Sequence, residues 1–212
     1  MTTTDALLNA LRLSGDALLA AFLAPRCVSC RCALESPIGG PVCPRCWEDT
    51  RAADGRYTGA LREIIHGLKY EGRRSLARPL AGLLRERHHA ALADARCVVP
   101  VPLFVWRRLR RGFNQAADLA AHLDLPVVHA VWRIRPTASQ TGLTAAERQR
   151  NVRGAFHLSP VLSRETRARL IADQVVVLVD DVMTTGATSN ACADVLTEAG
   201  AREVRVVTLA RA

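Results

Sequence analysis

The stretch Val179-Asp180-Asp181-Val182-Met183-Thr184-Thr185-Gly186-Ala187-Thr188 concentrates groups that can do chemistry. The hydroxyls of Thr184, Thr185 and Thr188 can donate to an anion. Gly186 lets the backbone turn and approach that anion closely. A helix beginning there would point its first amides and the positive end of its dipole at the same spot. Asp180 and Asp181 cannot join them on a phosphate, because like charges repel. They can accept hydrogen bonds from neighbouring hydroxyls, as on a ribose ring. Phosphate donors beside hydroxyl acceptors describe a site for a ribose 5-phosphate. A strand-to-helix turn capped by Asp and Thr is the plainer alternative, but it leaves two acids, three hydroxyls and a glycine in one short loop without a common purpose. The loop lacks the Gly-Lys-Ser/Thr ending of a Walker A motif and is not a GxGxxG fingerprint.

A second constellation is made of thiols. Cys27-Val28-Ser29-Cys30 and Cys43-Pro44-Arg45-Cys46 are two CxxC pairs separated by a turn-rich loop. Each spacing lets two thiolates reach one tetrahedral ion, so the pairs together predict a closed Zn²⁺ site of four cysteines. Buried free thiols or a redox pair are the alternatives, and Cys32 is a spare thiol near enough to compete as a ligand. Cys97 and Cys192 fall on apolar runs and read as small core fillers. A third constellation is basic: Arg107, Arg108, Arg110 and Arg111 crowd into five residues after Pro102, with Trp106 at their edge. Planar guanidinium groups suit phosphate oxygens, and an aromatic among arginines can stack on bases. A solvated basic turn, with Trp106 packed inward, is the competing reading.

These groups need elements to position them. Val175 to Val179 is an unbroken apolar run, as in a parallel strand buried on both faces. A helix is expected from about Thr188 to Ala199, with Cys192, Val195, Leu196 and Ala199 inward and Gly200 as its stop. Val204 to Leu209 reads as the next strand. Strand, helix, strand implies a right-handed crossover and a parallel sheet, with ligands at the carboxyl ends of the strands. Earlier, Thr58 to Tyr70 and Ser75 to His88 read as helices, and Cys97 to Val101 as a strand. Asn114 is expected to cap a helix ending near Leu123, and Val127 to Ile134 reads as a strand. Pro136 to Arg150 has no clear period and reads as a long mobile loop. Asp5 to Leu23 is an amphipathic helix whose Leu7, Leu11, Leu18 and Phe22 are expected to pack on the body. Charge and length keep it from spanning a bilayer, and it lacks the basic start and cleavage site of a signal peptide. No membrane span and a cytoplasmic location are therefore expected. The chain divides near Gly55, into residues 1–54 with the helix and cysteine module and residues 55–212 with the α/β pattern.

The 212 residues carry a formal charge of +9, with Lys69 the only lysine. A compositional taste for arginine explains the scattered ones. The clustered ones fit an anionic partner, either nucleic acid or a phosphorylated metabolite. Nearly half the residues are hydrophobic (49%), which excludes wholesale disorder.

The loop at Asp180 to Thr188 resembles the phosphoribosyl-pyrophosphate (PRPP) motif of type I phosphoribosyltransferases. Several other stretches resemble the ComF family of competence-associated proteins. They are Leu68-Lys69-Tyr70-Glu71-Gly72-Arg73-Arg74, Val99-Pro100-Val101-Pro102-Leu103, Arg111-Gly112-Phe113-Asn114-Gln115, Gln140-Thr141-Gly142-Leu143, Glu147-Arg148, Asn151-Val152-Arg153-Gly154-Ala155-Phe156 and Thr208-Leu209-Ala210-Arg211. The likeness runs through nearly the whole chain from Pro25. It implies an α/β fold with a type I phosphoribosyltransferase-like parallel sheet and flanking helices, plus a small N-terminal four-cysteine zinc module. It implies PRPP as ligand, with Mg²⁺ arriving on the substrate's oxygens. The arginine cluster takes the place of the pyrophosphate loop, and Pro136 to Arg150 that of the flexible loop, with Gln140, Arg148 and Arg150 either touching substrate or simply exposed. The chain ends soon after its last strand, so the C-terminal hood that binds the accepting base in such enzymes is not expected. Transfer of phosphoribosyl to an unknown acceptor, single-stranded DNA binding alongside competence proteins, and PRPP sensing without DNA contact all stay open.

Overall fold

The computed structural model describes residues 3–135, 147, 152 and 154–212, and these form two compact units, Met1–Leu76 and Ala77–Ala212. In the first unit, helix α1 (Thr3–Leu23) leads into the cysteine-bearing turns, a 3₁₀ turn at Pro37–Gly39, helix α2 (Pro44–Ala52), helix α3 (Gly59–Tyr70) and a second 3₁₀ turn at Arg74–Leu76. Sequence reasoning placed the boundary at 54/55, whereas the compact unit extends to Leu76. The reason lies in the apolar face of α3. Leu61, Ile64, Ile65 and Leu68 are buried, and α3 packs on α2. Val28 of the first knuckle presses on Gly67, where an added Cβ would stand 3.0 Å from its Cγ1.

Helix α1 forms as expected but does not bury the expected face. Leu11, Leu18 and Phe22 are exposed, and the side chain of Leu7 lies outside the described set. The helix is held at its middle. Asp16 is buried and accepts from the amide of Ile38 at 2.7 Å, and Gly15 leaves room for the Ile38 side chain. No helix among the described residues is long and apolar enough to cross a membrane.

The second unit contains helix α4 (Ala77–Arg87), helix α5 (His89–Leu92), strand β1 (Cys97–Pro100), helices α6 (Val105–Arg111) and α7 (Gln115–Ala120), and strands β2 (Val131–Arg133) and β3 (Phe156–Leu158). Helix α8 (Arg164–Leu170), strand β4 (Val175–Met183), helix α9 (Ala187–Glu198) and strand β5 (Glu203–Arg211) complete it. The parallel sheet runs β1-β4-β5, with Val176 beside Cys97 on one side and beside Val204 on the other. Its centre is the Val175–Val179 run, buried throughout. Cys192 and Leu196 of α9 and its C-cap Ala199 join that core, and the Cys192 and Cys97 thiols are buried fillers as their runs implied.

The stretch expected as one strand from Val127 to Ile134 serves two sheets instead. Val127 bridges Val98 in parallel, and Val131–Arg133 then pairs antiparallel with Phe156–Leu158. Along the outer side of β5, Arg87 and His88 at the end of α4 reach the carbonyls of Leu209 and Thr208 at 3.0 and 2.9 Å.

Candidate functional site

Strand β4 changes character at its carboxyl end. After five buried residues the side chains of Asp180 and Asp181 are only half-buried, at the point where the sheet stops covering the strand. The neighbouring strand explains this. Pro100, the last residue of β1, pairs with Val179, so the chain leaves β1 one position before Asp180. On the other side Asp180 pairs with the buried Thr208, and β5 continues to Arg211 beside Met183. The amide of Asp181 donates to Asp180 Oδ1 at 2.8 Å, folding the first carboxylate back on its own backbone.

Thr184 and Thr185 follow, both exposed, and Gly186 then takes φ +74° as the N-cap of α9. Space does not demand glycine here, since a Cβ would meet Met183 Sδ at 3.7 Å and the Asn190 amide at 3.8 and 3.9 Å, all ordinary contacts. The left-handed backbone does. With glycine as N-cap, the capping residue supplies no side-chain hydrogen bond to the start of the helix. The amides of a helix's first turn have no intrahelical acceptors. The loop thus joins two carboxylates, two exposed hydroxyls and a helix N-terminus at the carboxyl end of the central strand.

The basic segment begins at the adjacent strand end. It is a short helix, α6, and not the loop that the sequence implied. Gly112, at φ +76°, stops α6, and Asn114 caps α7 by accepting from the amide of Ala116. Asn114 Nδ2 also donates to the Val101 carbonyl at 3.0 Å, which ties the segment back to the exit of β1. Arg108 is exposed and Arg111 half-buried, while the side chains of Arg107 and Arg110 lie outside the described set. Trp106, 70% exposed, is not packed inward, and Leu109 beside it is equally open. Gln140, Arg148 and Arg150 fall outside the described residues.

Two buried polar residues, Arg133 and Gln115, have no role assigned to them from the sequence. Arg133 is 8% exposed, and its guanidinium lies 5.3 Å from the centre of the Phe156 ring. Burial pushes the Cys192 thiol far above its usual range. The charge of Asp180 pushes the same way and that of Arg133 the opposite way. The available signal was alternation, since Arg133 takes an inward position in a strand that buries residues 131 and 133. Gln115, at the start of α7, is 1% exposed, and its Nε2 has no acceptor among the described residues. Its place between Asn114 and a buried alanine gave no such cue.

In the first unit the sulfurs of Cys27, Cys30, Cys43 and Cys46 all lie within 4.8 Å of one another. Cys30 and Cys43 stand 3.7 Å apart, against about 3.8 Å for two corners of a tetrahedron with Zn–S bonds near 2.3 Å. Burial opposes ionisation of Cys27, but amides of Cys43, Cys30 and Ser29 donating to its sulfur outweigh that and hold its thiol below the usual value. The Cys32 amide, followed by the Cys32 thiol, brings Cys30 down to about 6. Burial pushes Cys46 up to about 12, and the hydrogen bond shared with Cys30 raises Cys32 to about 12. Crowded thiols cannot all ionise alone, and a dication is what lets four share one centre. The donor set therefore fits a metal such as zinc. Cys32 Sγ, 3.3 Å from Cys30 Sγ, lies outside the mutually close four.

A three-stranded parallel sheet flanked by helices, with this loop between its central strand and a helix, is the architecture of a phosphoribosyltransferase-type domain. Residues 109–212 match the family described as the phosphoribosyl transferase domain. Competence protein F of Haemophilus influenzae is 36% identical over 170 residues, covering 74% of this chain and 71% of that protein. The DNA utilization protein YhgH of Escherichia coli is 36% identical over 167 residues, covering 73% and 69%. Competence protein ComFC of Bacillus subtilis is 28% identical over 212 residues, covering 87% and 83%. The chain belongs to the ComF family of competence-associated, phosphoribosyltransferase-like proteins.

Proposed function

We propose that the second unit binds PRPP at Asp180, Asp181, Thr184, Thr185, Gly186, Ala187 and Thr188. The observation that carries this reading is the glycine-capped start of α9 directly after two half-buried carboxylates on β4. The 5-phosphate would take the amides and hydroxyls of the loop, and the ribose hydroxyls would donate to Asp180 and Asp181. Arg107, Arg108, Arg110 and Arg111, one strand away, are the candidates for the pyrophosphate, with Gln140 and Arg148 as further contacts. Mg²⁺ would arrive on the substrate's own oxygens, as its preference for phosphate ligands and retained water implies. With an acceptor present, the same arrangement suits transfer of phosphoribosyl, the arginines taking up charge as pyrophosphate leaves. Zn²⁺ on Cys27, Cys30, Cys43 and Cys46 would hold the first unit together and take no part in that chemistry.

The test is thermal stabilisation. A ligand that binds only the folded state raises its melting temperature. Mg²⁺-PRPP is expected to raise that of the parent, and Asp180→Asn with Asp181→Asn to remove most of the rise while leaving the ligand-free protein folded. Equal stabilisation of the two proteins would refute the assignment. Pyrophosphate release in a metabolite pool then separates transfer from binding alone.

A second reading has its own support. Trp106 and Leu109 are exposed beside Arg108, and the relatives are named for competence and DNA utilization. A cationic helix presenting an open indole suits single-stranded DNA, whose bases stack on aromatic faces. Competence proteins would be partners in that setting.

A further inference from the structure

Helix α1 carries an apolar stripe that its own unit leaves uncovered. Leu8, Leu11, Leu18 and Phe22 are 60%, 62%, 59% and 81% exposed. Leu23 and Ile38 extend the stripe at its end and its middle, and both are exposed. Gly15 fits between Leu11 and Leu18, so the spacing from Leu8 to Phe22 runs three, four, three, four. That is the spacing of a helix seam meant for another helix. The helix is anchored within its own unit by Asp16, which accepts from the Ile38 amide, and by the Ile38 side chain lying over Gly15 at the middle of the stripe.

We infer that this stripe pairs with the same stripe of a second copy of the chain, antiparallel, to make a homodimer. The distribution of side chains is self-complementary, as a two-fold interface requires. An antiparallel copy sets Leu8 against Phe22 and Leu11 against Leu18, and the reverse pairs follow by symmetry. The exposed surface of these side chains amounts to roughly 700 Å² per chain, close to the ~800 Å² per partner of a stable interface and more than a monomer ordinarily leaves open. Charge argues against a lipid surface as occupant. Helix α1 carries Asp5 and Asp16 against a single cation, Arg12, whereas helices that lie on anionic membranes are rich in Lys and Arg.

The experiment measures mass by sedimentation equilibrium on the full zinc-loaded chain across a concentration series. The parent is expected at twice the chain mass of 23.0 kDa. Leu11→Glu puts a carboxylate against Leu18 of the partner and is expected to weaken the dimer at least ~30-fold, the size of a hot-spot loss. Leu11→Glu combined with Leu18→Lys is expected to restore it, because antiparallel pairing sets each new acid against a new base. Circular dichroism and zinc content serve as controls that each variant is folded. A parent that stays monomeric at every concentration overturns the proposal. So does a Leu11→Glu protein that dimerises as tightly as the parent, or a double variant that is not restored. A monomeric parent that co-sediments with phosphatidylglycerol vesicles, and loses this with Leu11→Glu, would make the stripe a lipid surface instead.

Discussion

Asp180 and Asp181 are held at different depths of commitment. Asp180 pairs through β4 with Thr208, and its Oδ1 accepts from the next amide. Asp181 continues the strand toward the loop. Gly186 is the residue on which the loop depends for its shape. Its φ of +74° lies where an L side chain is strained by about 1–2 kcal/mol. No heavy atom stands close enough to clash with a methyl group there, so Gly186→Ala should leave a folded protein. Its melting temperature should fall by a few degrees, and stabilisation by Mg²⁺-PRPP should fall with it, because the strained loop relaxes away from the geometry that binds. Differential scanning fluorimetry with and without ligand checks both effects. A variant that melts early but still gains the full PRPP shift would show that Gly186 shapes the turn without shaping the site.

Elements decide what the cysteines do. The first knuckle is a turn in which Arg31 takes φ +64° and donates its amide to Cys27 O at 3.0 Å. The second knuckle places Cys43 at the N-cap of α2 and Cys46 within its first turn. A turn and a helix start are thereby held at a distance that a shared ion would satisfy, and structural zinc sites contribute ~10–16 kcal/mol of apparent binding free energy to such modules. Chelation, or Cys43→Ser, should therefore unfold the unit Met1–Leu76 while the unit Ala77–Ala212 keeps its own melting transition. Elemental analysis should find one Zn²⁺ per parent chain and none per variant chain. If the chelated protein shows the same two transitions as the parent, the cysteines are packing residues.

Across the whole molecule the charge of +9 is the dominant long-range property. If α6 follows a nucleic-acid backbone, affinity for single strands should be insensitive to sequence and fall steeply with salt, as counterions are released. Arg108→Ala should make the logarithmic salt slope shallower by roughly 0.7, the share of one phosphate on a single strand. Trp106→Ala should cost about 1–3 kcal/mol through lost stacking, with little change in slope. Fluorescence anisotropy across a salt series, repeated with Mg²⁺-PRPP, checks both and asks whether the ligands compete. Variants indistinguishable from the parent in affinity and slope would leave the positive charge as composition and strengthen the transferase reading.

Local patterns were legible where one strong signal governs. The Val175 to Val179 run, the glycine at 186, the Asn114 cap and the two CxxC pairs each impose their structure through neighbours in sequence, and each stands where those residues imply. The basic cluster became a helix because Val105 to Arg111 has no breaker before Gly112, a point its charge concealed. The single run from Val127 to Ile134 was split because it has two partners, Val98 and Phe156–Leu158, and nothing local says which residue changes sheet. The burial of Arg133, the transfer of α3 to the first unit and the open face of α1 depend on what distant residues cover. Periodicity determines that a helix has an apolar side. Which surface that side meets is set by packing between segments far apart in the chain, and only the tertiary structure decides it.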